Sequence, residues 1–209
     1  MTQENEALPL SEESWSNACT LKSYELGAEE YVSRTLAQMG PSFKDWIDRT
    51  LALLPPQPRI IEIGAGFGRD AEYIESQGFS VERTDATEAF VALLQEKGYC
   101  AYSFNILKDS FTDLYDLVFA NAVFLHFTRQ ELEEVLRKVW FALRDQGILS
   151  FAVKKGQGEE WTMDKLDRPR YFCYWEQPEI TALLIQRGFG EVNISEDKKF
   201  LQIIARKNQ

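Results

Sequence analysis

The chain is poor in the residues that build metal and disulfide sites. It has one histidine in 209 residues, which excludes any metal site needing two imidazoles. Its three cysteines, Cys19, Cys100 and Cys173, are far apart and odd in number. That excludes a disulfide framework and a CxxC zinc site, and fits reduced thiols in a cytoplasmic protein. No metal is expected. Basic residues are outnumbered, 23 Lys and Arg against 33 Asp and Glu, so the basic footprint that grips a phosphate backbone is missing. Nucleic acid is therefore not an expected partner. No apolar run approaches the roughly 18 residues of a membrane helix. The first residues, Met-Thr-Gln-Glu-Asn, have neither the basic start nor the apolar stretch of a signal peptide. A cytoplasmic location without membrane association is expected. A hydrophobic content of 44% is enough for a buried core, and 209 residues suit one domain with an appendage.

Residues 1–13 read as a tail. A helical pattern runs from Ser14 to Leu54, broken at Gly40-Pro41, and Pro55-Pro56-Gln57-Pro58 closes it, so residues 14–58 form an N-terminal helical cap. From Arg59 onward strands alternate with helices: strands at 59–63, 80–84, 100–104, 115–120 and 147–153, and helices at 69–77, 88–97, 129–143 and 179–187. Thr128 and Glu131 are spaced as a capping box. Two last strands, 191–194 and 200–205, are joined by a hairpin-sized linker, so the final strand should run antiparallel. The predicted fold is α/β: a Rossmann-like, seven-stranded, mostly parallel sheet with helices on both faces, over residues 59–209.

The segment Ile60-Ile61-Glu62-Ile63-Gly64-Ala65-Gly66-Phe67-Gly68-Arg69-Asp70 carries the most chemistry. Three glycines between an apolar strand and a helix let the backbone turn sharply and a ligand come close. The helix N-terminus beyond favours an anionic group. Ligands of open parallel sheets sit off the carboxyl ends of the strands. The third glycine comes one residue too early for the dinucleotide fingerprint, and Glu62 would repel a pyrophosphate but suit an ammonium or sulfonium.

In these residues, continuing as Gly-Arg-Asp-Ala at 68–71, the sequence resembles the class I S-adenosylmethionine-dependent methyltransferases, whose first motif runs E/D-x-G-x-G-x-G. The resemblance implies S-adenosyl-L-methionine as cofactor and a transferase acting on an O or N atom of a small-molecule methyl acceptor. It implies cofactor contacts at Glu62, Gly64, Ala65 and Gly66, with Asp85 and Ala86 at the ribose and Asn105 and Ile106 at the adenine. Ala120 and Asn121 would flank the sulfonium, Phe124 would wall the pocket, and Arg69 is placed to meet the cofactor carboxylate. Asn105 also reads as an ordinary turn residue. Tyr24 and Tyr31, seven apart, share one helical face that either packs on the core or folds over the cofactor, where the rings would favour a cation and touch the substrate.

His126 is the candidate general base; the other reading is that it only orients substrate. Lys154–Trp161 reads as a mobile glycine-rich segment, and Arg168–Trp175 as a lid whose Arg168, Arg170 and Tyr171 meet the substrate while Phe172 and Trp175 pack on the sheet. No proline follows Asn121 and no nucleophilic cysteine stands in that loop, which argues against nucleic-acid methylation. An NAD(P)-dependent oxidoreductase and a catalytically silent cofactor-binding or interaction protein remain alternatives. The acceptor and the oligomeric state are not legible.

Overall fold

Ile60–Ile63 forms the first strand, β1, with all four residues buried. It lies inside the sheet and meets apolar side chains on both faces, Ile60 in one core cluster and Ile61 and Ile63 in the other, the condition that makes inner parallel strands read as continuous hydrophobic runs. The computed structural model describes residues 12–208, so the expected tail over 1–13 lies outside the described residues except for its last two, which begin a helix. Before the sheet come α1 (Glu12–Ser33) and α2 (Pro41–Leu51), separated at the Gly40-Pro41 break. Pro41 opens α2, where a missing N–H costs nothing.

The remaining order is α3 (Arg69–Ser76), β2 (Val81–Asp85), α4 (Glu88–Glu96), β3 (Ala101–Ser103), β4 (Tyr115–Asn121), a single 3-10 turn (Phe124–His126), α5 (Arg129–Ala142), β5 (Leu143–Lys155), β6 (Glu159–Thr162), β7 (Arg170–Trp175), α6 (Gln177–Gln186), β8 (Phe189–Glu196) and β9 (Phe200–Lys207). The sheet runs β3-β2-β1-β4-β5-β9-β8, parallel from β3 to β5, with β9 antiparallel to both its neighbours. The expected sheet, with its antiparallel last strand, is what forms.

β4 shows how alternation sorts the core. Leu117 and Phe119 pack on one face with Trp46 and Ile47 of α2 and Ile74 of α3. Val118 and Ala120 pack on the other with Leu132, Leu136 and Val139 of α5. Trp46 stacks at 4.9 Å on Phe119, and its indole N–H donates to the Ile203 carbonyl at 3.3 Å. The capping box forms: Glu131 N–H donates to Thr128 Oγ1 at 3.2 Å, and Thr128 N–H to Glu131 Oε2 at 2.8 Å.

The main departure lies at 159–175. In place of a mobile lid, β6 and β7 pair as an antiparallel hairpin, Glu159 opposite Cys173 and Thr162 opposite Arg170. β7 then joins the end of β5 in parallel, Lys154 opposite Tyr174. The hairpin is bonded to α1: Tyr171 N–H donates to Thr20 Oγ1 at 3.1 Å and Ser23 Oγ donates to the Pro169 carbonyl at 2.7 Å. Buried backbone donors and acceptors need partners, and α1 supplies them. The segment is a beam that holds the cap helix in place.

Candidate active site

The carboxyl ends of β1, β2 and β4 and the inner face of α1 line a cleft. Gly64 and Gly66 stand at φ +71° and +55°, where a side chain is strained. A Cβ on Gly64 would come within 2.4 Å of Val123 Cγ2, whereas one on Gly66 would meet nothing and project into the cleft. The first glycine lets the loop pass β4, and the second leaves open a cradle for a ligand. Ala122, in the opposite wall, also takes φ +59°, an uncommon conformation for alanine and a form of strain found at binding sites.

Asp85 caps this loop from β2. Its Oδ2 accepts the Gly66 N–H at 2.9 Å and its Oδ1 accepts the Thr87 N–H at 2.9 Å. Burial raises its carboxyl, and those amide bonds pull it back. Asp85 lines the cleft, and a carboxylate's acceptor capacity exceeds these bonds, as binding a diol needs. Asn105 and Ile106 follow β3 and line the same end, where Asn105 Oδ1 accepts the Leu107 N–H at 3.1 Å and so also shapes its turn.

Beneath the loop lies a polar cluster that involves Asp70, a residue the sequence reading left without a role. Asn121 Nδ2 donates to Asp70 Oδ2 at 2.6 Å and Arg69 Nε donates to Asp70 Oδ1 at 2.8 Å. Asn121 Oδ1, in a residue of the cleft wall, and Glu62 Oε2 are buried without a hydrogen-bond partner. Burial, and then Asp70, push the Glu62 carboxyl well above the usual carboxylate range. An unpaired buried acceptor on Asn121 beside an open cradle suits a ligand that brings an N–H donor.

The far end of the cleft is aromatic. Tyr24 and Tyr31 meet edge-on at 5.3 Å, and Tyr31 packs against Phe90 of α4 at 5.7 Å. The two tyrosines therefore face the cleft as well as each other. His126 is buried, with Nδ1 2.7 Å from the Tyr171 carbonyl and Nε2 2.8 Å from Tyr24 Oη. Burial pushes His126 down to about 3; the Tyr171 carbonyl opposes this, and Arg170 and Lys154 add to it.

Of the residues singled out from sequence, Tyr24, Tyr31, Gly64, Gly66, Asp85, Ala86, Asn105, Ile106, Asn121 and His126 line the cleft. The others stand behind or beside that wall. Ala65 and Ala120 are buried, and Glu62 and Phe124 lie under the wall, Phe124 against Phe127 and Phe151. Arg69 is held by Asp70 and also reaches the Leu36 carbonyl at 3.4 Å. Arg168 pairs with Glu30 of α1 at 3.4 Å, away from the cleft wall. Tyr171 turns its ring to Trp161, because its backbone is committed to α1 and His126. Arg170 is buried behind Tyr24, its Nη1 donating to Tyr24 Oη at 2.9 Å. Sequence reasoning missed Asn17, Thr20 and Leu21 of α1, Thr87 and Phe90 at the start of α4, and Val123 and Phe127 around the 3-10 turn. The face of α1 that carries Tyr24 could have pointed to Asn17, Thr20 and Leu21, which lie three to seven positions before it. Among the described residues no group of histidine, cysteine and acidic side chains could hold a metal, and no helix is long and apolar enough to cross a membrane.

Comparison with known proteins fits this geometry. Residues 61–149, from β1 into β5, match the family described as "Methyltransferase domain". No curated protein matches the chain. Among solved structures, the chain is similar to the 1,6-didemethyltoxoflavin-N1-methyltransferase of Burkholderia thailandensis, at 18% identity and a TM-score of 0.70 over 97% of this chain and 93% of that one. It is similar to DhpI in a complex described as DhpI-SAM-HEP, at 17% identity and a TM-score of 0.71 over 94% and 99%. It is also similar to the CcbJ methyltransferase of Streptomyces caelestis, at 16% identity and a TM-score of 0.68 over 88% and 96%. At such identities the likeness is one of fold. A methyltransferase-domain match over 61–149 and a fold shared with methyltransferases are what this chain has in common with known proteins.

Proposed function

We propose that this protein transfers a methyl group from S-adenosylmethionine to an oxygen or nitrogen atom of a small molecule. The observation that carries this reading is the single cleft that runs from the glycine loop and Asp85 to the aromatic end at Tyr24 and His126. One end fits an adenosyl amino acid, and the other holds a compact acceptor. The toxoflavin enzyme and DhpI support the size class: the first is described with a bound small molecule and S-adenosylhomocysteine.

When bound, S-adenosylmethionine supplies an electrophilic methyl group on a sulfonium. This chain's residues do the rest. Gly64 and Gly66 admit the ligand close to the backbone, Asp85 accepts the sugar hydroxyls, and Asn105 and Ile106 border the base. The unpaired acceptor on Asn121, in the cleft wall, gives an amino group or sulfonium a partner. Tyr24, Tyr31 and Phe90 cover the acceptor end and exclude water, so nucleophile and methyl group meet in a fixed line. His126 serves that end as base or as orienting group.

The test is turnover to S-adenosylhomocysteine over a panel of small hydroxyl and amino compounds. Transfer to at least one acceptor is expected. Failure with every acceptor, joined to binding of NADH in place of S-adenosylmethionine, would contradict the reading.

A further inference from the structure

The acceptor end holds a hydrogen-bonded chain whose polarity can be read atom by atom. The Tyr171 carbonyl can only accept, so His126 Nδ1, 2.7 Å away, carries the imidazole proton. In the neutral ring Nε2 is then a bare lone pair, and the group 2.8 Å from it, Tyr24 Oη, must donate its hydrogen there. Arg170 Nη1, always a donor, points at the same oxygen from 2.9 Å. Tyr24 Oη thus gives its one hydrogen to His126 and takes one from Arg170. Its remaining capacity is to accept, and Tyr24 lines the cleft. Arg170 is buried, with Tyr24 Oη and the Asp164 carbonyl as its polar partners and the Tyr24 and Phe172 rings beneath its charge.

Resting on the methyltransferase reading, we propose that Tyr24 Oη is the catalytic group that receives the acceptor's proton, that His126 is the relay behind it, and that the acceptor is an apolar hydroxyl compound. The acceptor O–H breaks as its hydrogen passes to Tyr24 Oη. The Tyr24 O–H breaks as its own hydrogen passes to His126 Nε2. The electron pair freed on the acceptor oxygen forms the new bond to the incoming methyl carbon. His126 becomes imidazolium with Nδ1–H still on the Tyr171 carbonyl, and returns the proton to water when product leaves.

Two observations select oxygen over an aliphatic amine. First, an amine is an ammonium at neutral pH, and the groups around Tyr24 and His126 are the cations Arg170 and Lys154, with Asp85 the acid that faces Tyr24 and Tyr31 its other titratable neighbour. Second, the chain of hydrogen bonds ends at one bare nitrogen, His126 Nε2, and takes one proton, which is what an alcohol releases on methylation, whereas an ammonium must shed a further proton before it can attack. Leu21, Val123 and Phe127 supply the apolar walls.

Because the chain has a single histidine, nitrogen NMR reads this relay without overlap. The full-length protein, loaded with S-adenosylhomocysteine, is titrated with phenol and separately with benzylamine while the His126 resonances are followed between about pH 5 and 8. The neutral Nδ1–H form is expected throughout. Phenol should move the Nε2 resonance in the wild type and in His-retaining controls such as Trp161→Ala, but not in Tyr24→Phe; benzylamine should leave it unmoved. A protonated Nε2 at neutral pH, a phenol response that survives Tyr24→Phe, no phenol response, or an equal response to benzylamine would each overturn the proposal. Calorimetry of the same samples separates the two levels. No S-adenosylmethionine binding would remove the methyltransferase reading and the relay with it, whereas binding without the phenol response would remove the relay alone.

Discussion

Tyr24 and His126 act as one unit, because neither can change its hydrogen bond without the other. For an acceptor that is turned over, Tyr24→Phe should lower kcat by about 100-fold or more, the range of a lost proton-transfer group, while cofactor affinity holds. His126→Ala should lower turnover in the same direction, and His126→Gln, which can still accept from Tyr24 but cannot be protonated, should not restore it. Steady-state rates beside calorimetric affinities check this, and an unimpaired Tyr24→Phe enzyme would contradict it. Glu62 lends itself to a different measurement. Its carboxyl is raised in the folded protein by burial and by Asp70, with Asp85 adding to the rise and Arg83 and Arg69 opposing it. The folded chain therefore keeps a proton that the unfolded chain, at about 4.3, has already released. That contribution is complete below the unfolded value and is lost as pH rises through the folded one. Glu62→Gln never ionises, so without cofactor its Tm should gain on the wild type between about pH 5 and 8. A constant difference would contradict the assignment.

At the scale of elements, legibility followed geometry. Gly64, Asp85, Asn105 and Asn121 could be read from sequence because each ends or follows a parallel strand, and strand order alone brings such ends together. Phe90 could not, because its role depends on how α1 and α4 are rotated against each other, which no period encodes. The β6–β7 hairpin was hidden for another reason. β7 is buried along nearly its whole length, covered by α1 on one side, so the alternation that announces an exposed hairpin is missing. Gly156 and Gly158 then read as mobility where they serve a turn at φ +147° and +77°. Two element-level outcomes follow. Thr128→Ala breaks the capping box of α5 and should cost about 0.5–2 kcal/mol in denaturant unfolding, without altering cofactor affinity. Gly64→Ala meets Val123 at 2.4 Å and should weaken cofactor binding as well as stability, because the loop it displaces is the ligand's cradle. Equal cofactor affinity in Gly64→Ala and wild type would remove the loop from the site.

Across the whole molecule, a sheet buried on both faces fixes the strand ends, and the cap helix is tied to the far wall by the hairpin. The cleft between them is a consequence of that arrangement. This is also why an acidic chain with one histidine can carry transfer chemistry: alignment and exclusion of water need few titratable groups. The most direct test of the account is calorimetric titration of the full chain with S-adenosylmethionine, beside Asp85→Ala. The account predicts saturable one-site binding, weakened in Asp85→Ala by about 1–3 kcal/mol as a buried diol loses its acceptor. No heat at millimolar cofactor, or equal affinity in the two proteins, would contradict it.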